Sequence, residues 1–300
     1  MKLLIAEDDA LSRRILQSLV QNWGYEPQFA NDGLQAWGIL SGDNAPPLAI
    51  LDWVMPGLDG IEVCRQLRAL KKPTYTYIIM LTAKNETDDL VRAIDAGADD
   101  FVTKPCDQQE LRVRLRAGQR IVELEERLRY QATHDALTGA INRGLIVETL
   151  QRELARGARS GMPVGILLAD LDQFKLVNDR YGHLVGDTVL QEVTRRMSGR
   201  LRFFDSLGRY GGEEFLIVLP ECPQEQVLDV AERLRQSIGD EPIPTAGGLL
   251  PVTVSIGAVV VPPEPAQDAT TWLHAADVAL YRAKQSGRNC VIVDGFTQAW

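Results

Sequence analysis

Ala49-Ile50-Leu51-Asp52-Trp53-Val54-Met55-Pro56-Gly57 sets a short apolar run, a carboxylate and a turn in immediate succession. The run is apolar at consecutive positions, the pattern of a strand buried on both faces of a parallel sheet. Leu3–Ala6, Ile78–Leu81 and Phe101–Thr103 repeat it. Between these runs Leu11, Ile15, Leu16, Leu19, Val20 and Trp23 recur at helical spacing, and segments near 33–41, 59–70 and 86–96 read as helices. This alternation predicts a doubly wound α/β domain with a five-stranded parallel sheet, whose active groups gather at the carboxyl ends of the strands.

Four features fall at those ends: Glu7, Asp8 and Asp9 after the first strand, Asp52 after the third, Thr82 after the fourth, and Lys104 with Pro105 after the fifth. Clustered carboxylates suit Mg2+, a hard cation that takes oxygen ligands. The metal would offset repulsion between Asp52 and an incoming phosphoryl group, and Lys104 and Thr82 would hold the new phosphate oxygens. Each residue has a plainer reading alone: Asp8 or Asp9 caps the next helix, Asp52 belongs to the turn, and Lys-Pro is a loop. Their coincidence at successive strand ends favours the site.

Residues 1 to about 120 resemble the response-regulator receiver family, through I-A-E-D-D (5–9), L-D-W-V-M-P-G-L-D-G (51–60), M-L-T-A (80–83) and V-T-K-P (102–105). The resemblance implies that Asp52 accepts phosphate from a cognate histidine kinase. Glu7, Asp8, Asp52 and the Val54 carbonyl would hold Mg2+. Thr82 and Lys104 would sense the phosphate, and Phe101 would be the switch aromatic. Asp9 would be left to cap a helix.

A charged, proline-free helix is expected from about Asp107 to Tyr130, with Leu111 and Leu115 covering the first sheet. Ala117, Ile121, Leu124 and Leu128 follow at spacings of 4, 3 and 4, a heptad seam compatible with a short two-stranded coiled coil or with a helix packed on its own domain. The expected division is a domain at 1–118, a helical linker at 107–134 and a second domain at 135–300.

In the second domain, helices are expected near 142–160, 184–201, 223–238 and 268–286. Strands are expected at Val164–Leu171, on either side of Gly211–Gly212, at Val252–Val261 and at Cys290–Val293. Prolines at 242–251 and 262–265 mark loops. Asp170 closes an apolar strand, and Arg209-Tyr210-Gly211-Gly212-Glu213-Glu214-Phe215 sets two glycines before two acids. Paired glycines let a backbone approach a bulky anionic ligand. Asp170 and Glu213 together could hold Mg2+ ions for in-line attack of a 3′-hydroxyl on an α-phosphorus. Lys284 and Arg288 would take β- and γ-phosphates. A bare Gly-Gly-Glu-Glu is otherwise an exposed hairpin.

The wider context resembles the GGDEF diguanylate cyclase family over 135–293. The strings are D-A-L-T-G-A-I-N-R (135–143), D-L-D-Q-F-K-L-V-N-D-R-Y-G-H-L-V-G-D (170–187), R-Y-G-G-E-E-F (209–215), V-S-I-G-A (254–258) and D-V-A-L-Y-R-A-K-Q-S-G-R-N (277–289). The resemblance implies a nucleotidyl-cyclase-like, palm-type α+β domain that condenses two GTP into cyclic di-GMP. Asp170, Glu213 and the Leu171 carbonyl would be metal ligands, with Glu213 also the base. Asn178 and Asp187 would read guanine, and Gly211 and Gly212 would border the nucleotide. His183 lines the pocket or is a satisfied structural histidine. Arg202-Phe203-Phe204-Asp205, separated by five residues from Gly211, matches the family's product-inhibition site; R-x-x-D alone is a surface ion pair. Arg233 would assist from a neighbouring domain.

The net charge of −9 divides as −5 over 1–106, +1 over 107–134 and −5 over 135–300, without the basic excess that phosphate-backbone binding needs. A nucleic-acid partner and a receiver-controlled transcription factor are therefore disfavoured. No stretch reaches the roughly 20 apolar residues of a membrane helix. Cys64, Cys106, Cys222 and Cys290 lie far apart without a C-x-x-C pair, which suits reduced thiols in a cytoplasm. Because one cyclase site holds one GTP and the product contains two, a homodimer through receivers and coiled coil is expected. Phosphorylation of Asp52 would act through that helix. The competing reading is a GTP or cyclic di-GMP sensor without catalysis.

Overall fold

Central apolar strands dictate the architecture of each half of the chain. The structure, a computed structural model, describes residues 1–72, 74–83, 87–263 and 268–294, with only the backbone of 87–90. It divides into two compact units, Met1–Arg129 and Tyr130–Trp300.

The first unit alternates β1 (Lys2–Ala6), α1 (Ala10–Asn22), β2 (Glu26–Ala30), α2 (Gly33–Ser41), β3 (Leu48–Asp52), α3 (Gly60–Ala69), β4 (Tyr77–Thr82), α4 (Thr87–Asp95), β5 (Asp100–Thr103) and the start of α5 (Gln108–Thr133). Its five strands are parallel, in the order β2-β1-β3-β4-β5. Order reverses between β1 and β3, and a doubly wound sheet opens its crevice at that switch point. Every residue of β3 and β4 is buried, with separate apolar clusters on the two sheet faces. Asp9, Asp32 and Asp59 accept the amides of Ser12, Gln35 and Glu62 at 2.8, 2.7 and 2.7 Å, which starts α1, α2 and α3 where the chain leaves a strand or turn. Leu111, Leu115, Gly118 and Val122 of α5 are buried in this unit. Gly118 is required there, because a Cβ would stand 2.4 Å from the Tyr77 ring. The neighbouring stripe is exposed, with Ile121 at 39%, Leu124 at 46% and Leu128 at 59%.

The second unit contains α6 (Arg143–Ser160), β6 (Val164–Leu171), α7 (Phe174–Tyr181), α8 (His183–Ser198), β7 (Ser206–Arg209), β8 (Glu214–Leu219), α9 (Gln224–Gly239), β9 (Ile243–Thr245), β10 (Gly248–Leu250), β11 (Val254–Val261), α10 (Ala269–Gln285) and β12 (Val291–Asp294). The sheet runs β12-β11-β6-β8-β7, with the wholly buried β6 at its centre and antiparallel to both neighbours. One face packs on α8 and α9, the other on α6 and α10. Helix α10 lies directly on β11: a Cβ on Gly257 would be 2.1 Å from the Leu280 nitrogen.

Three features depart from expectation. A separate helix, α7, precedes α8, and the two are divided by Gly182 at φ 84°. The proline-marked stretch at 242–251 contains a small hairpin that buries Ile243 and Leu250. The strand expected from Val252 begins at Val254. The helix start at 86, part of the 262–265 loop and residues 295–300 lie outside the described residues. Among the described residues, no helix is long and apolar enough to cross a membrane.

Candidate functional site

At the switch point of the first unit, β1 delivers Glu7 and Asp8, and β3 ends in Asp52. Oxygens of these three carboxylates lie within 4.8 Å of one another. Lys104, following β5, donates from Nζ to Glu7 Oε2 and to Asp52 Oδ2, both at 2.7 Å. Burial, with the Asp52 charge also contributing, pushes Glu7 above the usual carboxylate range against the pull of Lys104. Burial works against the Lys104 ammonium, but its bonds to Asp52 and Glu7 win and raise its pKa. Thr82 is buried at the end of β4, one residue past Leu81, the partner of Asp52 in the β3–β4 register. Asp9 is taken up as the cap of α1. The Val54 side chain is 70% exposed in the loop after β3. Gly60 lets α3 start against Asp52, whose carbonyl would be 2.3 Å from a Cβ. Phe101 lies half-buried on β5 with the Arg114 guanidinium 5.5 Å from its ring centroid. Arg114 pairs in turn with Asp100 and Glu110.

In the second unit Asp170 is buried one residue from the end of β6 and pairs with Lys284 of α10 at 2.8 Å. Glu213 occupies the turn that enters β8. The Leu171 amide donates to the Glu213 carbonyl at 3.3 Å, so strand pairing brings the two acidic residues together. Burial raises Asp170 against its bond to Lys284. Burial first, and the Asp170 charge second, raise Glu213. The hairpin closes through the Tyr210 and Gly211 amides on the Glu214 carbonyl, at 2.8 and 3.2 Å. Gly211 faces Glu214, whereas Gly212 is exposed with nothing within 4 Å of an added Cβ. Asn178 lies on α7 with its side chain against Gly186 of α8, where a Cβ would be 1.9 Å from Asn178 Oδ1. Asp187 follows one residue later, half-buried, and His183 is exposed at the start of α8. Arg288 stands at φ 64° in the loop after α10.

Arg202 and Asp205 close a turn on each other: the Arg202 amide donates to Asp205 Oδ2 at 2.7 Å. Burial raises the Asp205 carboxyl despite that bond. The Arg202 guanidinium lies 5.8 Å from the Phe204 ring centroid, and Phe203 is fully exposed. Arg233 donates to the Arg200 carbonyl at 3.1 Å, within the same unit. It borders a groove of about 490 Å³ with Arg195, Arg196 and Arg200.

Sequence reasoning passed over two polar networks. Asp135 accepts the Thr138 amide and hydroxyl at 2.9 and 2.7 Å and Arg209 Nη1 at 3.0 Å. Arg209 then forks onto the Gly212 carbonyl from Nε and Nη2 at 3.1 and 2.7 Å. Asp172 accepts Thr253 Oγ1, Ser255 Oγ and the Asn289 amide at 2.7, 2.7 and 3.0 Å. The signal was adjacency: Asp172 stands two residues after Asp170, just past β6, and Arg209 stands two residues before Gly211.

Residues 132–290 match the family described as the diguanylate cyclase GGDEF domain, and residues 3–116 match the response regulator receiver domain. The response regulator PleD of Caulobacter vibrioides is 32% identical over 262 residues, 84% of this chain and 58% of PleD. The diguanylate cyclase DosC of Escherichia coli is 38% identical over 168 residues, 56% of this chain and 36% of DosC. This chain thus spans little more than half of PleD and about a third of DosC. The crystal structure of the coiled coil and GGDEF domain of DgcB from Caulobacter crescentus, in complex with c-di-GMP, superposes with a TM-score of 0.57 at 27% identity. It covers 62% of this chain and 98% of that one. The chain belongs to the GGDEF family and carries a response-regulator receiver domain ahead of its GGDEF domain.

Proposed function

We propose that the protein is a diguanylate cyclase, controlled by phosphorylation of Asp52, that condenses two GTP into cyclic di-GMP and two pyrophosphates. The observation that carries this reading is the pair Asp170 and Glu213, joined across β6 and β8 through the Leu171–Glu213 backbone bond, with Lys284 on Asp170. The donor set is all oxygen, two carboxylates and the Leu171 carbonyl, which fits Mg2+. When bound, the metal would polarise the α-phosphate and lower the barrier to attack by the 3′-hydroxyl. Glu213 takes the proton of that hydroxyl, and burial with the Asp170 charge raises its pKa, which strengthens it as a base. Lys284 and Arg288 hold the β- and γ-phosphates. Asn178 and Asp187 read the guanine edge, with His183 at the pocket border and Gly211 and Gly212 leaving room for the nucleotide backbone. A second GTP comes from a second copy of the chain.

In the receiver, the three carboxylates and the Val54 carbonyl likewise suit Mg2+. A phosphoryl group on Asp52 brings about −1.5 to −2 charges. Lys104 and Thr82 follow it, and Phe101 leaves its place beneath Arg114. Helix α5 carries the change, and two copies join through receivers and the stripe of Ala117, Ile121, Leu124 and Leu128. The working division is a receiver at 1–118, a linker at 107–134 and a cyclase at 135–300, in a cytoplasmic protein served by a histidine kinase. Product bound at Arg202 and Asp205, with Arg233, slows turnover.

Incubation with GTP and Mg2+ followed by chromatography of the products tests the reading. Wild type yields cyclic di-GMP, a stable phosphate mimic at Asp52 raises the yield, and Glu213→Gln abolishes it. GTP bound without any product would establish the sensor instead.

A further inference from the structure

The loop between α10 and β12 is held in an unusual backbone. Gly287, Arg288 and Asn289 follow one another at φ 107°, 64° and 46°, and two of the three carry side chains. Such conformations persist only where surrounding contacts over-determine them. The contacts are specific. The Arg288 amide reaches back to the Ala283 carbonyl at 3.2 Å. Arg235 of α9 donates to Asn289 Oδ1 at 2.8 Å. The Asn289 amide donates to Asp172 Oδ2 at 3.0 Å. Asp172 is itself fixed to β11 by the hydroxyls of Thr253 and the wholly buried Ser255, and by its own amide on the Thr253 carbonyl at 2.9 Å.

Asp172 thus ties three elements together: the end of β6, which carries Asp170; the start of β11; and the loop that presents Arg288. We infer that Asp172 is a positioning residue, which sets the Arg288 arm at the distance from Asp170 that a triphosphate requires. This rests on the proposed cyclase reading and adds to it a selectivity for the terminal phosphates. Asp172 touches neither nucleotide nor metal in this scheme. It acts through the Asn289 amide, a bond that an alanine at 172 removes together with those to both hydroxyls.

The test is Asp172→Ala in the full chain, alone and combined with Arg288→Ala. GTP and guanosine 5′-monophosphate, which lacks the β- and γ-phosphates, are titrated separately by calorimetry with Mg2+. Misplacement of a distant arm costs roughly 10- to 100-fold. Asp172→Ala is therefore expected to weaken GTP about tenfold or more, leave the monophosphate unchanged, and add little to Arg288→Ala in the double variant. KM for GTP rises more than kcat falls. The inference is overturned if both nucleotides weaken together, if the two substitutions add in full, or if Asp172→Ala binds GTP as wild type does. If wild type itself takes up no GTP, the cyclase reading falls, and the inference falls with it. An active wild type beside an indifferent Asp172→Ala sinks the inference alone.

Discussion

The Asp135–Arg209–Gly212 chain gives a direct handle on how the Gly-Gly turn is held. The Asp135 and Arg209 side chains are 25% and 17% exposed, so their 3.0 Å pair is neither fully screened nor fully buried, and about 1 kcal/mol is its expected contribution. The two bonds from Arg209 to the Gly212 carbonyl are charge-assisted but close to water, and together add about 1 kcal/mol. Arg209→Lys cannot fork onto Gly212 while reaching Asp135, and should lose most of this about 2 kcal/mol. For a domain of this size that lowers Tm by about 4–8 °C. Asp135→Asn keeps an oxygen for Thr138 and loses only the charge, so its drop should be about half. Gly212 immediately precedes Glu213, so Arg209→Lys should also lower kcat by about tenfold. The pH dependence has a definite sign. Burial alone would raise Asp135, but the Thr138 bonds and Arg209 outweigh it and hold its pKa below the ordinary 3.8. Its contribution is therefore complete above about pH 4 and disappears as pH falls through the depressed value. Calorimetric melts and initial rates at pH 7, with melts repeated toward pH 3, measure all of this. Unchanged Tm and kcat in both variants would refute the clamp.

Gly257→Ala forces a Cβ to within 2.1 and 2.3 Å of the backbone of α10, and should cost about 3 kcal/mol or more in a urea titration; a wild-type midpoint would contradict that packing. Glu192 is held down to about 2 by Arg195 and, against burial, by Arg196, and screening at the exposed Arg195 limits the contribution to about 1 kcal/mol. Glu192→Gln should be less stable than wild type at neutral pH, and the gap should close as pH falls from 4.5 toward 2; a pH-independent gap would exclude the ion pair as its cause. Chelation with EDTA should stop labelling of Asp52 by acetyl phosphate, and Mg2+ should restore it. Labelling that survives chelation would exclude the three-carboxylate cluster as the cation site.

Legibility followed burial. Strands β3, β4 and β6 are apolar at nearly every position because both faces are covered, so sequence alone located them. Strand β2 reads Glu-Pro-Gln-Phe-Ala at the sheet edge, half-exposed, and has no such run. Helix α7 was hidden because Gly182 breaks a stretch whose apolar spacing continues into α8. On α5 the two readings of the helix fall on adjacent stripes: Leu111, Leu115, Gly118 and Val122 are buried, while Ile121, Leu124 and Leu128 are exposed. Carboxylates at strand ends were legible because topology brings strand ends together. Asp135 and Asp172 were not, because a carboxylate that serves backbone amides and hydroxyls has the same one-letter signature as a solvated one.

The two sites solve one electrostatic problem in the same way. Each sets carboxylates at the carboxyl end of an inner strand, where burial raises Glu7 and Asp170, and each answers with a lysine from a later element: Lys104 on Glu7 and Asp52, Lys284 on Asp170. The count differs. Lys104 serves two of three carboxylates, so a divalent cation joining them would leave the cluster near neutrality. Lys284 faces two acids, with Arg288 close enough to act on Asp170, and a triphosphate brings several more negative charges. A domain with net charge −5 can hold such a ligand only where cations converge. On the proposed reading the loop anchored by Asp172 brings Arg288 there, so a residue that touches no nucleotide should matter more for GTP than for a nucleotide with one phosphate.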